Sequence, residues 1–323
     1  MLYPVLFVPV YKEMVWGSRR LTKYGKNPPY EHTGESWDIT CRPDAMGVIK
    51  NGVLKGTSFI DYINTDKIKI LGARASGDFP LLVKLIDADD FLSVQVHPGD
   101  GYARRAGDGP CGKNEIWYIL ESPPGGYLVI GLKDGVKRAA LEHALATGSG
   151  AEELLNKLYV QQGDVIDIPA GLIHAVGKGI ILAEIQQNSD LTYRVYDYNR
   201  TGLNGKPREL HIKKALDVID FDNKIPRCKV MANPVAIDGC TVTRYISNPY
   251  FCVDKYDIPV SYNDKTDPGA FHIYTCVGGA ATIATNGFTI NAVCGDSVFM
   301  PAALGAYTVY GPCALLKCSV PYD

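Results

Sequence analysis

One stretch of this 323-residue chain limits its fold more than any other. Gly163-Asp164-Val165-Ile166-Asp167-Ile168-Pro169-Ala170-Gly171-Leu172-Ile173-His174 has the form G-x5-P-x-G-x2-H. It reads as a tight turn at the first glycine, a strand, a Pro-Gly corner, and a histidine opening the returning strand. Such a corner aims the histidine ring into the mouth of a β-barrel.

The rest of the chain is written in the same style. Short runs rich in Val, Ile and Tyr end at Gly, Pro, Asn or Asp, the pattern of an antiparallel β protein with many turns. Strands are expected at Pro80–Asp87, Phe91–His97, Asn114–Glu121, Tyr127–Gly131, Asp164–Ile168, Ile180–Gln187 and Thr192–Tyr198. A later set is expected at Thr241–Tyr245, Phe251–Ile258, Phe271–Val277, Ala280–Ala284, Ser297–Pro301 and Ala306–Tyr310. Helical periodicity is confined to Thr57–Ile63, with Thr57 as its cap, to Val136–Ala146 and Ala151–Leu158 as a pair, and to His211–Ile219. The pair interrupts the strand series, so residues 136–158 read as a small helical insertion. A boundary is expected in the polar stretch between Pro226 and Pro234, dividing the chain into 1–225 and 226–323.

Two segments complete the chemistry of the corner. In Ser93-Val94-Gln95-Val96-His97, alternate residues share a strand face, so Gln95 and His97 point one way and the two valines the other. Taken alone, an edge strand with His97 in solvent explains this as well. The long polar loop 98–114 then leads to Glu115, which shares a face with Trp117 on the next strand. Two imidazoles, a carboxylate and an amide oxygen suit a borderline divalent ion, with zinc the best match.

The corner resembles the second motif of the cupin superfamily, with Lys178 where an Asn is usual. Gln95 and His97 followed by Glu115 resemble its first motif, expanded by the loop. Gly112-Lys113-Asn114-Glu115, Glu184-Ile185-Gln186-Gln187-Asn188-Ser189-Asp190, Tyr193-Arg194-Val195-Tyr196-Asp197 and Pro207-Arg208-Glu209-Leu210-His211 narrow the likeness. With Trp16-Gly17 and Gly34-Glu35-Ser36-Trp37 they resemble the type I mannose-6-phosphate isomerases, in the short bacterial form without a large helical domain.

That resemblance implies two cupin (jelly-roll) barrels and one zinc ion per chain, with ligands at Gln95, His97, Glu115 and His174. It implies interconversion of mannose 6-phosphate and fructose 6-phosphate through a cis-enediol(ate). Arg194 falls on the family's active-site arginine, to anchor phosphate or steady the enediolate. Lys113 is a candidate for base or phosphate ligand, and Glu184 for proton carrier or structural partner. Asp190 and Tyr193 are further candidates for substrate contact. The rival readings are a cupin oxygenase using iron and a sugar-phosphate-binding cupin without turnover.

In the second half, Gly295-Asp296-Ser297-Val298-Phe299-Met300-Pro301 repeats the G-x5-P frame. Ala303 and Ala306 stand where the first copy has Gly171 and His174, so this barrel is expected to hold no metal. A formal net charge of −2 and the lack of basic tracts argue against nucleic-acid and membrane-surface partners. No apolar stretch is long enough to cross a bilayer, and Met1–Val10, broken by Pro4 and Pro9, does not read as a leader. Nine scattered cysteines without a CxxC pair point to reduced thiols in the cytoplasm. Monomer and homodimer are both compatible with the sequence.

Overall fold

The computed structural model describes residues 2–75, 77–222 and 228–321. The expected boundary at residues 225 and 226 falls outside them. Antiparallel strands dominate, as the turn-punctuated sequence requires.

The first barrel is made of two facing sheets. One has six strands in the order Val165–Ile168, Glu115–Glu121, Ile180–Gln187, Leu81–Ala88, Thr33–Ile39 and Val10–Ser18. The other has five, in the order Leu155–Tyr159, Tyr127–Leu132, His174–Val176, Val94–Val96 and Tyr193–Tyr196. Between them lies a core that includes Ile86, Trp117, Ile119, Ile130, Val176 and Leu182.

The six-stranded sheet is buried on both faces, and the period of two decides what each face does. Leu81, Val83, Leu85, Ile116, Tyr118, Ala183 and Ile185 point away from the first barrel into a second core. Phe251, Phe271, Phe299 and Leu316 of the C-terminal half meet them there, with Phe59 from the helix Phe59–Thr65. Phe59, Phe79, Phe271 and Phe299 form a continuous ring cluster, with edge contacts at 4.8 and 5.1 Å between centroids. The residues in between, Lys84, Glu115, Trp117 and Glu184, belong to the opposite, inward register.

The C-terminal half is an eleven-stranded sheet that curls into the second barrel. The two strands expected at Phe271–Val277 and Ala280–Ala284 are one, His272–Thr285, bent at Gly279. Gly279 has φ +66°, and a Cβ there would lie 2.3 Å from the Pro312 carbonyl oxygen, so only glycine lets the strand turn. The N-terminal strand Val5–Val8, absent from the expected set, also belongs to this sheet. Val5 pairs with Phe299 and Leu6 with Val298.

One helical expectation is corrected. Ala151–Leu158 is a short 3-10 turn, Glu152–Leu154, followed by the strand Leu155–Tyr159. The apolar spacing of Leu154, Leu155 and Leu158 imitates a helix. Pairing along Tyr127–Leu132 and an Asn156 side-chain bond to the Leu132 carbonyl at 2.6 Å outweigh that propensity. The helical insertion is therefore the single helix Arg138–Thr147. The first helix is capped by Ser58 rather than Thr57, its hydroxyl accepting from the Asp61 amide. Among the described residues no helix is long and apolar enough to cross a membrane.

Candidate metal centre and substrate cavity

The Pro-Gly corner and the two adjacent strands bring the proposed ligands together. Gly163 and Gly171 have φ of +88° and +90°, so both turns of the corner use backbone that glycine adopts without strain. His174 then enters its strand directly opposite Gln95. Glu115 reaches the same place from the facing sheet.

Both imidazoles are oriented by the backbone. His97 donates from Nδ1 to the Leu191 carbonyl at 2.7 Å, and His174 from Nδ1 to the Leu172 carbonyl at 2.9 Å. A carbonyl only accepts, so each Nδ1 carries the proton and each Nε2 offers its lone pair inward. His97 Nε2 lies 3.3 Å from Glu115 Oε1. The ligand atoms of His97, Glu115 and His174 all lie within 4.8 Å of one another, and all three residues are buried. His97 Nε2 and Glu115 Oε1 make no hydrogen bond at all. Burying two polar atoms that make no hydrogen bond, one of them with only the Lys113 ammonium in contact, is costly unless something else binds them. A divalent cation meets the requirement, and one carboxylate with two imidazoles is a donor set that such ions accept. The Gln95 side-chain NH2 donates to His174 Nε2 at 3.3 Å, so the amide meets the site through its nitrogen, and its oxygen would face an ion after a turn of the amide.

The surrounding charges shift the ligands. Burial, helped by Lys113, keeps His97 below its ordinary pKa, and burial with His97 nearby pushes His174 down to about 3. Both rings are thus neutral, the state that ligates. Burial opposes the charge on Glu115, but the Lys113 ammonium outweighs it and holds the carboxyl well below its usual range. Lys113 Nζ sits 2.7 Å from Glu115 Oε1, in contact but without hydrogen-bond alignment.

A cavity of about 250 Å³ opens beside these ligands. Gln95, Lys113, Glu184, Asp190 and Arg194 all line it, together with Lys84, Glu35 and Arg208. Trp117 Nε1–H is shared by Glu115 Oε2 at 3.1 Å and Glu184 Oε2 at 3.0 Å, which ties the ligand to the second carboxylate. Burial and the nearby Glu115 raise Glu184 to about 7. Arg194 lies opposite Gln95 in the sheet, where its Nε donates to Ser93 Oγ at 3.3 Å and Nη1 to the Glu209 carbonyl at 2.7 Å. Burial and the neighbouring Arg208 lower its pKa, evidence of crowded positive charge at the mouth. Asp197 holds Arg208 and Arg200 through bonds of 2.5 to 3.1 Å.

Tyr193 is not brought to the cavity. It lies on the opposite face of its strand from Arg194, packs beside Tyr102 and His211, and donates its hydroxyl to Asp108 at 2.6 Å. Lys84 is the residue that sequence reasoning missed. It is 2% exposed, yet its ammonium sits 3.3 Å from both Glu35 and Glu184 and 3.9 Å from Asp190. Burial disfavours its charge, but these carboxylates hold its pKa above the ordinary value. A lysine at an inward position of a strand whose other charged residue, Asp87, faces the opposite way was the available signal, since a buried lysine must find partners.

Comparison with known proteins agrees with this geometry. Residues 5–110 match the family model for the catalytic domain of phosphomannose isomerase type I, and residues 241–320 match the cupin domain of mannose-6-phosphate isomerase. The chain is 34% identical to the mannose-6-phosphate isomerase ManA of Bacillus subtilis, covering 95% of this chain and 96% of that protein. It is also 34% identical to the mannose-6-phosphate isomerase of Streptococcus mutans, over 96% of each. A crystal structure of the mannose 6-phosphate isomerase from Bacillus subtilis superposes with a TM-score of 0.87 at 31% identity, covering 98% of this chain and 99% of that one. The chain belongs to the type I phosphomannose isomerase family and is an enzyme of that kind.

Proposed function

We propose that this enzyme interconverts mannose 6-phosphate and fructose 6-phosphate through a cis-enediol(ate), with one zinc ion held by Gln95, His97, Glu115 and His174. The observation that carries the reading is the convergence of two backbone-locked imidazoles on a hydrogen-bond-free Glu115 oxygen, beside a cavity lined by lysine, arginine and carboxylate. Zinc bound there would supply a Lewis acid for the oxygen on which charge develops.

The chain's own residues supply the remaining parts. Arg194 and Arg208 give the mouth of the cavity the planar donors that recognise a phosphate. Lys113 offers an ammonium beside the metal ligands, where it can donate to the enediolate oxygen. Glu184 is the best-placed proton carrier between C1 and C2. It lines the cavity, Trp117 orients one of its oxygens, and the other makes no hydrogen bond although Lys84 is 3.3 Å away. Asp190 stands at the rim.

The charged lining fits a phosphosugar and offers little to the apolar substrate of an iron oxygenase. All nine cysteines are free thiols, which supports a reducing, cytoplasmic setting. A coupled assay of mannose 6-phosphate isomerisation, with and without chelator, tests the proposal. Activity is expected, to be abolished by metal removal and restored by zinc. Arg194→Ala is expected to keep its metal and lose about a hundredfold or more in kcat/KM. Binding without turnover would establish the non-catalytic rival, and bound iron with oxygen consumption in place of isomerisation would establish the oxygenase.

A further inference from the structure

We infer that Gln187, oriented by Asp100, is a positioning residue for Lys113. The inference rests on the reading of Lys113 as a group that meets the substrate.

Lys113 ends a long loop that contributes no strand, so something must fix it. Gln187 closes the strand Ile180–Gln187 and is 6% exposed. Its Oε1 accepts from the Asn114 backbone N–H at 3.0 Å and from Asn114 Nδ2 at 2.7 Å. Its Nε2 donates to Asp100 Oδ1 at 3.1 Å, and the same oxygen accepts the Gly112 N–H at 2.8 Å. The residues immediately before and after Lys113 are therefore both tied to one amide–carboxylate pair. Asn114 carries the tie further, its Oδ1 accepting from the Ala170 N–H of the Pro-Gly corner at 2.9 Å.

The chemistry leaves one arrangement. A carboxylate only accepts and a backbone N–H only donates, so Nε2 must face Asp100 and Oε1 must face Asn114. Gly112 is part of the same clasp. A Cβ at that position would lie 2.3 Å from the Pro98 carbonyl oxygen, and Lys113 N–H donates to that same oxygen at 3.0 Å. None of the clasp bonds is made by a metal ligand's side chain. The clasp sets where the Lys113 ammonium stands without holding the ion.

Gln187→Glu keeps the acceptor for Asn114 and turns the donor into a carboxylate facing Asp100. Repulsion there would open the clasp at the Asp100 end. In Gln187→Glu combined with Asp100→Asn the amide NH2 supplies the donor to the new carboxylate, and the Gly112 N–H, which shared the same Asp100 oxygen with Gln187, loses that acceptor. In the zinc-loaded enzyme, Gln187→Glu is expected to lower kcat more than about tenfold with KM changed less than about twofold and zinc content unchanged. The rate of Lys113 acylation by acetic anhydride, read by mass spectrometry, is expected to rise more than about tenfold as the buried amine is released. Acylation of exposed Lys178 serves as the control and should not change. The double variant should recover part of both effects. Wild-type kcat and Lys113 acylation in Gln187→Glu would overturn the inference, as would zinc loss in step with activity. If the wild-type chain isomerises nothing, the functional reading fails while the acylation rates still decide this one.

Discussion

The two G-x5-P corners of the molecule use the same backbone for opposite ends. Gly163 and Gly295 both sit at positive φ, +88° and +99°, and each opens a strand, Val165–Ile168 and Ser297–Met300, that ends at a proline. After the first corner the returning strand begins with buried His174, and after the second with exposed Ala306. The interiors then diverge. Beside the first corner, His97 Nε2, Glu115 Oε1 and Glu184 Oε1 are buried without hydrogen bonds. In the second barrel a polar cluster of similar size is closed on itself. Asp264 Oδ2 accepts from Tyr274, Tyr307 and Lys317 at 2.7 to 2.9 Å, and His272 Nδ1 meets the Tyr307 hydroxyl at 3.0 Å. A buried network with every partner present adds rigidity, whereas one with open valences calls for a ligand.

Substitutions on each side of this contrast separate the two roles. The largest effect is expected for His174→Ala, which removes one of two imidazoles. Bound metal should fall to a small fraction of one ion per chain and activity by about a thousandfold or more, read by metal analysis and the coupled assay. Asp264→Ala should do the reverse. It strips an acceptor from Lys317, whose side chain is only 11% exposed, and from two tyrosines. A loss of about 3 to 5 kcal/mol in urea unfolding is expected, with metal content unchanged.

A smaller effect concerns His272. Burial and Lys317 depress its pKa to about 3, from an ordinary 6.5, against the pull of Asp264 and Asp267. Between those values the unfolded chain binds a proton that the folded chain refuses, so stability falls as pH is lowered through this window. One proton corresponds to a slope of about 1.4 kcal/mol per pH unit, and His272→Gln should flatten the measured dependence by that amount. Least of all is expected from Ala306→His. Ala306 is exposed and pairs with Lys265, whose ammonium disfavours a cation, so metal stoichiometry should stay at about one per chain, and a second bound ion would break the contrast.

What was legible in the sequence follows from how far each signal reaches. The corner, the strand alternation and the paired faces of Gln95/His97 and Glu115/Trp117 are local patterns, and they point to the cluster of His97, Glu115 and His174 that could hold a metal. Lys113, Glu184, Asp190 and Arg194 were found through the family likeness, and the cavity contains them all. Lys84 was hidden because its partners Glu35 and Glu184 lie on other strands, and Asp190 in the loop after Gln187, and leave no mark beside it. The clasp was hidden for the same reason, its side-chain bonds joining residues 73 and 87 positions apart. Tyr193 was misplaced in the opposite way. Its neighbour Arg194 carries the motif, and a strand turns adjacent side chains to opposite faces. The strand at Leu155–Tyr159 was read as a helix because its edge partner is remote in sequence.

The strand Val5–Val8 has a consequence for how the molecule is made. Val5 leaves the ribosome 294 residues (299 − 5) ahead of its pairing partner Phe299. At ordinary elongation rates the wait is roughly 15 to 60 seconds. Throughout it, Phe7 and the aromatic residues near Phe59 lack the surface that will cover them. The nascent first barrel is thus exposed to aggregation until Phe299 has emerged, and its dependence on chaperones during synthesis should exceed that of a protein whose halves close in order.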